Sequence, residues 1–183
     1  SVASAIVNVS SLAAAADGDQ ITVTPNAGTT YTLNGNNPAS LPGDHLVYDG
    51  SGTKAITTPS GGQITGAGVL PVNFTNFERV SATGGNTLDD TIDLTTIPGG
   101  QDGNPNAVIL SRDVTGLFLQ VFIDTNTGDA TLPILFSTQL YASVNTITVT
   151  GGSDVDTLQV DHSNGILDRN MTFNAAGPNV ANN

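Results

Sequence analysis

The chain has 183 residues and a net charge of −12, and its 16 acidic residues are 15 Asp and one Glu, against one Lys and three Arg. Asp, Asn, Gly and Thr occupy 79 positions; these types disfavour helix interiors and suit turns, caps and strand faces, so a helical bundle is excluded and an all-β chain is expected. The scarcity of Lys and Arg argues against nucleic acid or an anionic membrane surface as partner. The absence of Cys excludes disulfide scaffolds and thiolate chemistry, and no apolar run reaches the length of a membrane span.

Strand signals are short and frequent along the chain. Residues 5–9, 20–24 and 30–33 alternate apolar and polar types, as do 45–48, 72–74 and 91–94. Further strands are expected at 117–123, 132–136, 146–150 and 157–160. Gly, Asn, Asp or Pro separates almost every pair, the pattern of a sandwich, barrel or solenoid. The Ala run at 11–16 is the only helix candidate, and it is too short to be stable alone. Residues 1–16 lack a basic n-region and read as a mature N-terminus or as a cut from a longer chain. Residues 117–136 read as a hairpin closed by Asp124–Asp129, with a first arm buried on both faces. Pro133 cannot donate to a ladder, which places the return arm at a sheet edge.

Two stretches repeat. Residues 79–94 and 146–161 both read strand, Thr-Gly-Gly, a short acidic turn, then a strand after Asp. A looser copy runs from Tyr31 through Asp44 to Asp49, and the loosest from Val7 through Asp19 to Val23. The key aspartates, Asp19, Asp44, Asp90 and Asp156, lie 25, 46 and 66 residues apart, so the units carry insertions of different size. A unit this small cannot bury its apolar face alone, and stacking neighbours gives one thin core. The expected fold is therefore a solenoid-like stacked β structure, parallel β-helix-like, with a hairpin insertion; the alternative is a β-sandwich. Residues 1–183 form one domain in this reading, divisible into sub-units 1–100 and 101–183.

The acidic turns resemble the Gly-Gly-x-Gly-x-Asp repeats of calcium-binding β-rolls, since hard cations take several carboxylate and carbonyl oxygens. Asp89, Asp90, Asp154 and Asp156 are the candidate calcium ligands. Both copies lack the second Gly of the strict motif, and they are not in tandem. Asp as a turn cap is the alternative for the same residues.

The ordered set of Leu33–Pro38, Pro42–Leu46, Pro71–Glu78, Val80–Leu94, Val108–Asp113 and Val144–Leu167 resembles repeat modules of giant secreted surface proteins of planctomycete-type bacteria. Such modules carry degenerate haemolysin-type calcium repeats. The resemblance spans about four-fifths of the chain and implies a secreted, extracellular or cell-surface, non-catalytic module of stacked β structure. It carries over no catalytic residue.

Catalysis is not expected. His45 and His162 stand alone in or beside the repeat units, and Lys54, Arg79, Arg112 and Arg169 are the only candidate cationic bases. Glu78 next to Arg79 reads as half of a cross-strand ion pair. The expected function is a structural module of a fibre, surface layer or adhesin that contacts copies of itself, through edge strands or by end-to-end stacking. Residues 1–9 and 171–183 motivate this, having strand character but no obvious local partner. The alternatives are a calcium-dependent adhesion domain, with surface carbohydrate as partner, and a β-helix carbohydrate-active enzyme.

Overall fold

The structure, a computed structural model, describes residues 3–8, 18–35, 43–50, 52–58 and 61–175. They are all-β: fifteen strands and two single 3₁₀ turns. The strands are β1 Ala3–Asn8, β2 Gln20–Val23, β3 Thr29–Asn34, β4 His45–Tyr48, β5 Thr53–Thr58, β6 Gly61–Gly66, β7 Val72–Thr75 and β8 Arg79–Ala82. Then follow β9 Leu88–Asp93, β10 Asn106–Arg112, β11 Phe118–Asp124, β12 Ile134–Leu140, β13 Val144–Thr150, β14 Asp156–Asp161 and β15 Asn170–Asn174. The 3₁₀ turns are Leu94–Thr96 and Tyr141–Ser143.

Two mixed sheets, neither closed into a barrel, contain all of these strands. The first sheet runs β1-β3-β7-β6-β5-β9-β13-β15 and the second β14-β10-β11-β12-β8-β4-β2. Strands one to four alternate between the sheets, and so do β13, β14 and β15. Two meanders interrupt the alternation: β5-β6-β7 stays in the first sheet and β10-β11-β12 in the second. Each meander adds two strands, so the sheets stay close in size, at eight and seven strands. Every strand of the first sheet except β6 points the same way, and in the second only β11 is reversed.

The core lies between the sheets. Alternation drives it: in β13, Ile147 and Val149 are buried while Thr146, Thr148 and Thr150 stand partly exposed. One cluster joins Leu33, Ile64 and Val72 of the first sheet to Leu46, Tyr48 and Val80 of the second. Another joins Ile92, Ile147 and Val149 to Val108, Leu110, Leu119 and Val121. At roughly 1.5–3 kcal/mol for each fully buried aliphatic side chain, these two clusters are the main favourable term in folding.

Several expectations change. The expected hairpin is present, with Phe118 paired to Leu140 and Ile123 to Ile134. Its first arm alternates buried and half-buried residues and is not buried on both faces. Its return arm, β12, lies between β11 and β8 instead of at an edge, although it meets β8 only at Gln139 opposite Val80. The strand-like ends do have partners: β1 pairs with β3 and β15 with β13. The Ala run at 11–16 lies outside the described residues.

The two similar stretches fall on opposite sheets. In 79–94 the chain passes from the second sheet to the first, through β8 and β9; in 146–161 it passes from the first to the second, through β13 and β14. The Gly pairs serve different needs. Gly84 and Gly85 adopt φ of +88° and +61°, the left-handed region that residues with a Cβ avoid. Gly152 provides space instead, since a Cβ there would lie 2.2 Å from the Gly100 carbonyl oxygen.

Candidate functional site

Three features stand apart from core packing: the acidic corners, the outer rows of the first sheet, and the open sheet ends.

At the start of β2, β4 and β8, the acidic residues Asp19, Asp44 and Glu78 lie in successive strands of one parallel register. The second and third of these side chains each hold the backbone of the neighbour before them. Asp44 Oδ1 accepts from the Asp19 N–H at 2.8 Å, and Glu78 Oε2 accepts from the Asp44 N–H at 2.7 Å. Glu78 does not pair with Arg79 as expected: the ion pair found among the described residues is Arg169–Asp168, and Arg79 donates to the Gly43 carbonyl. Burial raises the Glu78 pKa, against the opposing effect of the Asp44 N–H bond. At the far end of the same strands, Thr24 and Thr83 both donate to Asp49. The acidic turns thus pair unsatisfied backbone donors and stitch strand to strand, as turn-forming Asp does.

The four candidate calcium ligands do not converge. Asp89 and Asp90 are neighbours in β9 and so point to opposite faces. Asp89 faces outward and accepts from Asn145 Nδ2 at 2.7 Å and Thr146 Oγ1 at 2.9 Å. Asp90 is buried and accepts from Gln139 Nε2 at 3.1 Å. Both oxygens of Asp156 are engaged, one by Asn106 Nδ2 at 2.9 Å and one by the Gly152 N–H at 2.7 Å. Asp154 accepts from Ser153 with one oxygen, and its other oxygen is buried without a hydrogen-bond partner. No group of three or more His, Asp or Glu in a metal-holding arrangement occurs among the described residues.

The two histidines are separately engaged. His45 Nε2 lies 2.7 Å from Ser81 Oγ, a pair that sequence reasoning missed because the residues meet only through the β4–β8 register. Burial, with help from Arg79, lowers the His45 pKa. Ser81 is only 3 % exposed, so this pair joins strands and does not present a nucleophile. His162 Nδ1 accepts from the Leu167 N–H and closes the 162–167 loop.

One register row crosses all eight strands of the first sheet, through Ile6, Thr32, Asn73, Gln63, Ile56, Thr91, Thr148 and Thr172, and Thr32, Asn73, Gln63, Thr91, Thr148 and Thr172 in it stand partly or fully exposed. The row is uncharged, in a chain of net charge −12.

The sheet ends are open among the described residues. The first sheet ends in β1 and β15 and the second in β2 and β14. Both terminal strands of the first sheet, ASAIVN and NMTFN, lack the charges and prolines with which soluble proteins blunt their edges. No helix among the described residues is long and apolar enough to cross a membrane. No protein-family model, curated protein or solved structure matches the chain.

Proposed function

We propose that this chain is a non-catalytic structural module of an extracellular fibre, surface layer or adhesin, a solenoid-like β stack that associates with copies of itself through its open sheet ends. The observation that carries the reading is directional. β1 and β15 point the same way at opposite ends of the first sheet, as β2 and β14 do in the second. An end-to-end contact therefore keeps the strand polarity of whichever sheet it extends. Contacts of this head-to-tail kind do not close on themselves unless the rotation between copies forms a ring. The partly buried Ile21 and Tyr31 at one end, and Leu158, Val160, Met171 and Phe173 at the other, also support it, since isolated repeat stacks need polar caps. The extracellular placement rests on the resemblance of the ordered motifs to secreted surface modules.

Sedimentation velocity at rising protein concentration tests this reading. Mass should grow past the dimer as concentration rises. A single monomeric species throughout the range overturns the proposal.

Calcium-dependent adhesion is the second reading, favoured by the buried, unpartnered oxygen of Asp154. The engagement of Asp89 and Asp156 by protein donors counts against it.

A further inference from the structure

We propose that copies join by continuing the first sheet, with β15 of one copy pairing in parallel with β1 of the next in the register that sets Thr172 opposite Ile6. This rests on the self-association reading above and adds its polarity, its strands and its register.

Direction comes first. The pairs next to both ends, β1–β3 and β13–β15, are parallel. An added strand that preserves this pattern must come from the opposite end of another copy. Pairing β1 with β1, or β15 with β15, by a twofold axis reverses strand direction and stops at a dimer.

Register comes second. The register row enters at Ile6 and leaves at Thr172, so repeating the row from copy to copy places these two positions side by side. Met171 and Phe173 then stand opposite Ala5 and Val7. Met171 and Phe173 pack partly buried against the C-terminal core cluster, and Ala5 and Val7 pair with the inward-facing Tyr31 and Leu33 of β3. A slip of one residue sets the polar Thr172 against the apolar row and breaks the core face.

Charge comes third. Neither β1 nor β15 carries a charged residue, whereas β14, at one edge of the second sheet, begins and ends with Asp. In a strongly acidic chain the first sheet is the edge pair that meets without like-charge repulsion.

The chain has no Cys, so engineered thiols report the contact cleanly. Ser4 and Asn170 are exposed and, two residues back from Ile6 and Thr172, fall opposite each other in this register. Their Cα atoms would be about 4.8 Å apart, inside the range a disulfide spans. Mild oxidation of the Ser4→Cys/Asn170→Cys double variant should give a ladder of covalent oligomers on a non-reducing gel. An equimolar mixture of the two single variants should give covalent heterodimers. The shifted pair Ser4→Cys/Thr172→Cys, about 8 Å apart, should give none. Covalent homodimers of either single variant overturn the polarity. A ladder from the shifted pair, or none from the in-register pair while sedimentation still shows assembly, overturns the register but leaves self-association standing. Monomer only, in the variants and the unmodified chain alike, overturns both.

Discussion

Gln139 Nε2 donates to Asp90 Oδ1 at 3.1 Å inside the core, and the second oxygen of Asp90 and the amide oxygen of Gln139 are both buried without a hydrogen-bond partner. Two acceptors and no donor is an unfavourable arrangement for an ionised carboxylate. Protonation of Asp90 removes the buried charge. Burial, opposed by the bonds from Gln139 and the Thr91 N–H, pushes the Asp90 pKa from 3.8 up to about 7.

The consequence is a pH dependence of stability. Between pH 3.8 and about 7 the folded chain holds a proton that the unfolded chain has lost, so stability falls as pH rises across that window. The contribution is full below the lower value and gone above the upper one. Asp90→Asn carries its own donor and should remove this dependence, with a gain at pH 8 on the order of 3–4 kcal/mol. Urea melts of both chains from pH 4 to pH 8 check it; an unchanged slope with pH in the variant would contradict the assignment.

A second polar cluster holds the 162–169 loop. Tyr141 stacks under two of the three arginines, with Arg112 Cζ 3.7 Å and Arg169 Cζ 4.3 Å from the ring centroid. Its hydroxyl donates to Asp168 Oδ1 and accepts from the Asp168 N–H at 2.8 Å. Tyr141→Phe keeps the stacking and loses both bonds, a cost of about 1–2 kcal/mol. Tyr141→Ala also loses the ring and should cost about 3–5 kcal/mol. Chemical denaturation of the two variants should separate these steps.

Asp156 distinguishes turn chemistry from ion binding. Removing its carboxylate in Asp156→Ala leaves the buried Gly152 N–H without its acceptor and the Asn106 amide with only the Gly100 carbonyl at 3.4 Å, at a cost of about 2–3 kcal/mol. The same loss is expected with calcium and with a chelator, and the melting temperature of the unmodified chain should not move when a chelator is added. A calcium-dependent rise in that temperature would return Asp89, Asp90, Asp154 and Asp156 to a metal role.

Strand existence was legible wherever β-branched residues alternate, as in Gln20–Val23, His45–Tyr48 and Val144–Thr150. It was hidden in β5 and β6, where TKAITT and GGQITG offer few apolar residues and several glycines, and β10, NAVILSR, was not among the expected strands. Sheet membership was not legible, because Thr-Gly-Gly turns send the chain from the second sheet to the first after β8 and from the first to the second after β13. The inward position of Asp90 was readable: it is two residues from both Leu88 and Ile92, on the same face of a strand. Its partner Gln139, 49 residues away, depends on the meander that brings β12 back toward β8. The acidic corners were readable as turn chemistry, but their cross-strand reach, as from Asp44 to the Asp19 N–H, needs the register.

The most direct test of self-association through the open ends is the axial subunit spacing of assembled material, by electron microscopy or fibre diffraction. A first sheet that continues from copy to copy advances eight strands per chain, which predicts a repeat of about 38 Å along the fibre with strands running across it. Fibres with an unrelated spacing, or strands running along the axis, would contradict the account.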